Sequence, residues 1–214
     1  MIARRSLIAA GVAALAAPAL ALPFDGGWTE QTFPRRKRNR YGQQGGGVEV
    51  TSEGGVSLLI RPVPEPLWPA RTARWSWSVT QGVPATDLAR KGGDDRNLAL
   101  YFVFLTTADA DRLRGASVRK VLTSKAAKVL VYVWGGDATR GTLSQSPYLD
   151  RRGVTITLRP AGVGTFSESV DLSADHARAF GAPPQVLFGL GLSADSDDTE
   201  TAIRARVDGL QLAL

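Results

Sequence analysis

The chain has 214 residues, of which 43% are hydrophobic and 21% charged, and its net charge of +6 gives a pI near 10.1. This length suits one domain, and the composition supplies a core and argues against disorder. The absence of cysteine excludes disulfides, thiol nucleophiles and cysteine-ligated zinc. A single histidine excludes sites that need several histidine ligands.

Residues 1–21 have the layout of a secretory signal peptide. Arg4 and Arg5 form a basic start, residues 7–17 are uncharged and mostly apolar, and residues 19–21 (Ala-Leu-Ala) match a cleavage site. The paired arginines also fit a twin-arginine signal. The apolar part is shorter than the roughly 20 residues that cross a bilayer. We therefore expect a periplasmic or secreted protein without a transmembrane segment in the mature chain; an uncleaved N-terminal anchor is the alternative.

The positive charge is concentrated in one run. Without residues 1–21 the chain has 24 basic and 20 acidic side chains, and the remainder outside the run has a net charge of −1. A basic field suited to nucleic acid is therefore not expected. The run lies in an N-terminal segment, residues 22–46, where it could hold an anionic envelope component. Alternatively, its charges guard a strand edge against association. Its members are Arg35, Arg36, Lys37, Arg38 and Arg40.

The remainder of the sequence predicts mainly strands, separated by glycine and proline. Residues 48–52 and 56–60 flank Gly54 and Gly55 and predict a hairpin. Residues 98–105 and 129–134 are apolar on both faces, which is typical of strands in the middle of a covered sheet. Further strands are predicted over residues 74–79, 154–158, 165–172, 185–192 and 202–212.

Helices are short and few in this pattern. One or two are predicted within residues 107–128, with a break at Gly115, and another is capped near Ser173 and ends at Phe180. About ten strands without a βαβ rhythm indicate a single jelly-roll-like β-sandwich domain over residues 24–214.

Acidic residues at strand ends are the main candidates for a site, because loops gather at the ends of a sandwich. Asp94 and Asp95 precede the strand over residues 98–105, and Asp195, Asp197 and Asp198 follow the strand over residues 185–192. The second of these two acidic groups could offer oxygens to Ca²⁺, although it does not match an EF-hand loop. Turn-closing aspartates and a glycosidase pair, Asp94 or Asp95 with Asp197 or Asp198, are the alternatives. The candidate ligand-binding residues are Asp94, Asp95, Arg96, Trp134, Asp195, Asp197 and Asp198.

Five tryptophans raise the question of sugar stacking. Trp75 and Trp77 alternate with small polar residues and are predicted to lie in the core. Trp134 at a strand end and Trp68 in a proline-rich segment are predicted to be more exposed. His176 is predicted to lie on the surface of its helix, so we assign no catalytic residue.

Five separated motifs resemble an exported bacterial family, DUF3047, a domain of unknown function. The resemblance runs in the same order from about Trp28 to the last strand. It implies a secreted or periplasmic β-sandwich similar to carbohydrate-binding modules, without an established activity. The motifs are Trp75-Ser-Trp77-Ser-Val, Lys91-Gly-Gly-Asp94-Asp95 before Tyr101-Phe-Val-Phe104, Tyr132-Val-Trp134, Ala179-Phe180-Gly181 and Asp195-Ser-Asp197-Asp198-Thr199.

Two departures bear on the implied site. The family tends to carry an arginine at the start of the strand after the Asp-Asp pair, where this chain has Ala99, with Arg96 nearer to the acids. A tryptophan of the family is replaced by Phe166. If the family's site needs an arginine against a carboxylate, that arginine is either relocated to Arg96 or lost.

The sequence thus favours a non-catalytic module that binds a glycan or another envelope component. A polysaccharide hydrolase using paired strand-end aspartates, or a structural protein with a Ca²⁺-stabilised loop, are the alternatives. No other cofactor is expected, and the sequence does not predict the oligomeric state.

Overall fold

The computed structural model describes residues 19–214, which fold as two packed β-sheets; most of the predicted signal peptide lies outside them. Strands are numbered in chain order. Sheet I contains, in spatial order, β11 (Gly164–Asp171), β6 (Thr72–Gln81), β13 (Ala202–Ala213), β4 (Gly47–Glu53) and β3 (Arg40–Gln44), with β1 (Leu20–Ala21) beside β13. Sheet II contains β2 (Thr29–Thr32), β5 (Val56–Pro62), β12 (Val186–Asp195), β7 (Arg96–Leu105), β8 (Lys128–Trp134), β10 (Gly153–Arg159) and β9 (Leu143–Gln145).

Three short α-helices and two single 3-10 turns complete the described chain. The helices are α1 (Thr107–Arg112), α2 (Val118–Leu122) and α3 (Leu172–Phe180), and the 3-10 turns are Glu65–Leu67 and Asp150–Arg152. The predicted mainly β sandwich with few short helices is confirmed. None of the helices among residues 19–214 has the length and apolar character needed to cross a membrane.

Aromatic side chains fill the space between the sheets. Trp75 and Trp77 of β6 face inward, as their alternation predicted, and are 2% and 1% exposed. Trp75 lies 6.2 Å from Phe102 of β7, measured between ring centroids, and Trp77 lies 5.6 Å from Trp134 of β8. These contacts across the sandwich join both sheets into one core.

Trp134 is therefore not a surface residue, and the prediction that it is exposed is wrong. Its side chain is 1% exposed and lies between Trp77 and Phe166. The reason is the register of β8, because Leu130, Tyr132 and Trp134 alternate onto the face that meets sheet I. Trp68 is half-buried, with Arg114 over its ring.

The hairpin predicted over residues 48–60 is also wrong. β4 pairs with β3 and β13 in sheet I, whereas β5 pairs with β2 and β12 in sheet II. Gly54, with φ of 63°, and Gly55 form a corner between the sheets instead of a turn within one. A Cβ at Gly55 would come within 2.8 Å of the Lys37 carbonyl oxygen, so the crossing chain requires glycine there.

The central strands of sheet II are buried on both faces, as predicted. The residues of β7 alternate between the inter-sheet core and a second apolar cluster on the outer face, which contains Ala99 and Val103. Leu113 and Val121, from the segment that connects β7 to β8, cover that outer face. The helices thus lie on sheet II because its outer face needs an apolar cover.

α3 closes one end of the sandwich. Its cap is Asp171, whose side chain accepts a hydrogen bond from Ala174 N at 2.9 Å, and not Ser173. His176 is buried, which corrects its predicted surface position, and its ring packs between Phe104 and Phe180. The reason is that α3 turns this face toward β7. Burial lowers the pKa of His176, which favours the neutral ring.

A buried glutamate ties the edge of sheet I to sheet II. Glu168 of β11 has no exposed side-chain surface and accepts hydrogen bonds from Trp77 Nε1 at 3.2 Å, Arg159 Nε at 2.8 Å and Arg140 Nη2 at 2.9 Å. Two arginines therefore compensate one buried charge.

Replacement of this glutamate tests that contribution. We expect Glu168→Ala to lower the free energy of unfolding by about 3–5 kcal/mol, because it leaves buried donors and positive charge without a partner. The matched control is Glu53→Ala, since Glu53 also contacts two arginines, Arg40 and Arg204, but is exposed; a loss of about 0–1 kcal/mol is expected there. Equal losses in urea titrations of both variants would contradict the assignment.

Candidate functional site

A cleft of about 740 Å³ opens on the outer face of sheet II, the face turned away from sheet I. Its floor is formed by side chains of β5, β12, β7, β8 and β10, and its walls by the segments 31–36, 119–123 and 146–152. This volume lies within the roughly 300–1,000 Å³ of small-molecule sites. We call it the outer-face cleft.

The register of the floor strands orders the cleft from polar to apolar. Asp195 of β12 stands opposite Arg96 of β7, and four residues earlier Gly191 stands opposite Tyr101, which itself pairs with Val131 of β8. Four residues of strand correspond to about 13 Å. The floor therefore carries charged groups at one end, and a tyrosine with aliphatic neighbours at the other.

Arg96 organises the polar end, which we define as Asp94, Arg96, Asp195 and Asp197. Its Nη1 contacts Asp94 Oδ2 at 3.1 Å and Asp195 Oδ2 at 3.0 Å, and its Nη2 donates to the Tyr101 hydroxyl at 2.8 Å. Burial alone would lower the pKa of Arg96, but the neighbouring tyrosine and acids raise it, so the guanidinium stays charged. Arg96 thus contacts two carboxyl groups and the Tyr101 hydroxyl.

Asp195 is the acid most altered by its surroundings. Its side chain is 9% exposed, and among the described residues its Oδ1 has no hydrogen-bond partner. Burial, together with the adjacent Asp197 carboxyl, raises its pKa to about 8 despite the opposing effect of Arg96. Arg36 forms a salt bridge with Asp197 from the cleft wall. The raised pKa favours the protonated form of Asp195 near neutral pH, beside Asp197, which Arg36 contacts.

Asp95 closes a loop and does not line the cleft. It is completely buried, and its Oδ2 accepts bonds from Thr199 N at 2.7 Å and Thr199 Oγ1 at 2.6 Å, while Oδ1 accepts from Asp198 N at 3.3 Å. The two acidic loops do lie at the same end of the sandwich, as a paired-carboxylate site would require. Yet the two oxygens of Asp95 are both engaged in holding the second loop.

The carboxylates that lie closest together differ from the predicted Ca²⁺ set. Ligand atoms of Asp95, Asp197 and Asp198 lie within 4.8 Å of one another, whereas Asp195 is turned toward Arg96. Asp95 is occupied by the loop it closes, and Asp197 by Arg36. Arg36 therefore already supplies positive charge to this cluster.

Two exposed aromatic rings flank the cleft. Phe33 is 43% exposed on one wall and Tyr148 is 53% exposed on the other. The Tyr148 hydroxyl donates to Asp94 Oδ1 at 3.0 Å, and Lys91 lies 5.4 Å from the centre of its ring. Partial burial, with a contribution from Asp94, raises the pKa of Tyr148 to about 12, so the hydroxyl keeps its proton.

Aliphatic side chains form the other end, which we call the apolar end. Leu58 of β5 contacts Tyr101 and Leu122, and Val131 belongs to the outer-face cluster on which Leu149 packs. The ring of Tyr101 belongs to this end, while its hydroxyl contacts Arg96 and lies 3.2 Å from Ser193 Oγ. Tyr101 is thus the boundary between the two ends.

The basic run lies along the rim and the neighbouring sheet edge. Arg36 contacts Asp197, Arg38 contacts Glu30 at 3.8 Å, and Arg40 begins the edge strand β3 and contacts Glu53. For Arg35 and Lys37 the described chain offers no carboxylate within salt-bridge distance. Most of the run is paired at an edge, which favours the edge-guarding interpretation over an open anion site.

Phe33, Tyr101 and Tyr148 line the cleft but were not among the sequence candidates. Phe33 and Tyr148 occur in loops without a periodic pattern, and Tyr101 lies within a strand that is apolar on both faces. A usable signal is the phase of β7, since Tyr101 alternates with Leu100 and Phe102 of the inter-sheet core and must therefore face outward.

Comparisons with known proteins identify a family and similar folds. The family model described as Protein of unknown function (DUF3047) matches residues 26–211. A search of the curated proteins gives no match.

Three solved structures have a similar architecture at low identity. A family 11 carbohydrate-binding module of the cellulosomal cellulase Lic26A-Cel5E of Clostridium thermocellum is 10% identical, with 93% of this chain and 96% of that chain covered and a TM-score of 0.44. The xyloglucanase domain of NopAA, a type three effector from Sinorhizobium fredii, in complex with cellobiose, is 7% identical (93% and 97% covered, TM-score 0.47). A cellulase derived from Cel12A of Rhodothermus marinus is 14% identical (92% and 99% covered, TM-score 0.49). With TM-scores below 0.5, these likenesses do not bear on the ligand.

The raised pKa of Asp195 predicts a specific dependence of stability on pH. Its pKa is about 8 in the folded protein against 3.8 for an ordinary aspartate, so the folded state binds this proton more tightly. The contribution of Asp195 to the free energy of unfolding therefore falls as the pH rises between those values. We expect Asp195→Asn to remove this loss, so that its melting temperature exceeds that of the wild type by a widening margin from pH 5 to pH 8.

The control for this pH series is Asp137→Asn, because Asp137 is exposed and lies outside the cleft. This variant shows, at each pH, the effect of the same substitution outside the cleft. A constant difference in melting temperature between Asp195→Asn and the wild type across the pH series would refute the raised pKa of Asp195.

The acidic cluster predicts the outcome of metal removal. Because Arg36 already contacts Asp197 and Asp95 already accepts three hydrogen bonds, we expect EDTA to leave the melting temperature unchanged. A melting temperature that rises progressively with added Ca²⁺ would instead indicate a cation bound to the folded state.

Proposed function

The chain belongs to the DUF3047 family, and we propose that it is a non-catalytic binding protein that holds a glycan of the cell envelope in the outer-face cleft. The observation that carries this proposal is the combination of two exposed rings, Phe33 and Tyr148, on opposite walls of a cleft whose floor bears carboxylates. Flat rings can stack on sugar rings, and carboxylates accept hydrogen bonds from hydroxyl groups.

The polar end supports this role because its groups are held in place before a ligand arrives. Arg96 is bonded to Asp94, Asp195 and Tyr101, so little side-chain freedom remains to be lost on binding. Each carboxylate oxygen has more than one acceptor position, so these ion pairs leave capacity for ligand hydroxyls. A preformed polar surface between two rings suits a neutral, hydroxyl-rich ligand.

The alternative of a polysaccharide hydrolase has less support. Its proposed acids include Asp95, which is completely buried, and ligand atoms of Asp95, Asp197 and Asp198 lie within 4.8 Å of one another. Glycosidases place their carboxyl groups about 5–5.5 Å or 6.5–9.5 Å apart, depending on mechanism. The remaining acid of that proposal, Asp94, is engaged with Arg96 and Tyr148. Binding is therefore the function that the geometry favours.

We also propose that binding takes place outside the cytoplasm, in the periplasm or after secretion. The support is the signal-like sequence of residues 1–21. The last two residues before the proposed cleavage site, Leu20 and Ala21, pair with β13, and Leu22 and Phe24 after it are buried in the inter-sheet core. An anionic envelope component held by Arg35 and Lys37 is the second candidate partner.

Removal of the exposed rings tests the proposal. A soluble glycan identified on an array would be titrated calorimetrically into the wild type, Tyr148→Ala and Phe33→Ala. We expect each variant to bind roughly 2- to 10-fold more weakly, which corresponds to about 0.5–1.5 kcal/mol for an aromatic contact.

Two controls separate the ring from other effects. Tyr148→Phe keeps the ring and removes the hydrogen bond to Asp94, so it should retain most of the affinity. Val163→Ala removes an exposed side chain outside the cleft and should bind as the wild type does. The proposal fails if no glycan on the array binds, or if both ring variants keep full affinity.

A further inference from the structure

The apolar end of the outer-face cleft is not explained by a sugar chain alone. Its lining includes the aliphatic side chains of Leu58, Leu122, Val131 and Leu149, together with Thr155, which pairs with Val131. Aliphatic side chains offer no ring for stacking and no hydrogen bond to a hydroxyl. Their contact with a ligand stabilises binding when the ligand itself brings apolar surface out of water.

We propose that the ligand of this cleft is an amphiphilic saccharide, with its sugar at the polar end and an alkyl or acyl chain along the apolar end. The proposal rests on the proposed function, because it assigns the chemical class of the ligand at the same site. A lipid-linked or acylated glycan has this chemistry, and so does a synthetic alkyl glycoside.

The pairing register of the floor strands sets the orientation of the ligand along the cleft. Asp195 and Arg96 form one cross-strand pair, and the pair of Gly191 and Tyr101 lies about 13 Å further along β12. Tyr101 turns its hydroxyl toward Arg96 and its ring toward Leu58. A ligand that follows the floor therefore passes from hydrogen-bonding groups to aliphatic surface within its own length.

At the second of these pairs, β12 contributes no side chain to the floor. Gly191 has no side chain, and a Cβ there would come within 3.1 Å of Leu58 Cδ1 and 3.3 Å of Tyr101 Cβ. The glycine lets the Tyr101 ring and Leu58 close over β12 as a continuous apolar surface. The volume of about 740 Å³ exceeds the needs of one sugar ring and leaves room for a chain.

Of the four arginines that line the cleft, Arg119 and Arg152 come from its walls near the apolar end and constrain the choice of ligand. Arg152 donates from Nη1 to the carbonyl oxygens of Leu122 at 3.1 Å and Ser124 at 2.9 Å, so its charge is held against the end of α2. Arg119 is exposed on α2. Because Leu122, Val131 and Leu149 also line this end, we assign it to the alkyl or acyl chain rather than to an anionic head group.

A series of β-D-glucosides with one head group and different chains tests the inference. Methyl, hexyl and octyl β-D-glucoside would be titrated into the protein below their micelle concentrations. Each fully buried CH₂ strengthens binding roughly fourfold, so we expect the affinity to rise steeply from methyl to octyl. Octanoate and octylphosphocholine would be titrated in parallel, to show whether the chain binds without a sugar.

Two variants test whether the alkyl chain of the glucoside lies in the cleft. Leu122→Gln puts a polar group at the apolar end, so the gain in affinity from hexyl to octyl glucoside should become at least severalfold smaller. Val163→Gln lies outside the cleft and should leave this gain in affinity unchanged. Melting curves show whether each variant folds. If Leu122→Gln does not fold, Leu149→Gln replaces it as the variant of the apolar end.

The outcomes separate this inference from the proposed function. Equal affinity for all three glucosides, with glycan binding intact, overturns the amphiphile and leaves the glycan site. Equal affinity for octyl chains on glucose, phosphocholine and carboxylate overturns the sugar site and the inference with it. Chain-length dependence that requires the sugar and is lost in Leu122→Gln supports both.

Discussion

The structure depends on the fact that the central strands of sheet II are apolar on both faces. One face is covered by sheet I through the aromatic contacts of Trp75 and Trp77. The other face needs a second cover, which the segment between β7 and β8 supplies with Leu113 and Val121. That cover is incomplete, and the cleft lies where it ends. The candidate site is thus a consequence of core formation, because its floor consists of strands whose opposite face forms the core.

Electrostatic balance determines which end of this floor is polar. Arg96 begins β7 and brings one positive charge to Asp94 and Asp195, while Arg36 reaches Asp197 from the opposite wall. Three acids are held together at one strand end with only two arginines. Burial and the neighbouring Asp197 carboxyl raise the pKa of Asp195 despite the opposing effect of Arg96. Arg96 also donates to the Tyr101 hydroxyl, so the polar end positions the ring that begins the apolar end.

The sequence predicted the strands that are periodic or apolar on both faces, but it did not predict whether the two acidic loops share one end of the sandwich. Strand pairing was not predictable from local pattern, because a Gly-Gly turn between two strands fits either a hairpin or a corner between sheets. Trp134 was misplaced because a residue at a strand end has few neighbours to define its phase. The different contacts of the acids could not be predicted from the sequence, because Asp94 and Asp95 are adjacent in it. Asp94 points to the cleft, whereas Asp95 points to the loop of Thr199.

The placement of the indole rings has a consequence for optical studies. Trp28, Trp75, Trp77 and Trp134 are at most 3% exposed, and Trp68 is half-buried on the outer face of the sandwich. Four of the five fluorophores therefore lie away from water and from the outer-face cleft. The steady-state emission of the folded protein should be blue-shifted and resistant to iodide quenching. A shift of that emission reports loss of the interior, whereas occupancy of the cleft needs a label on a wall residue to become visible.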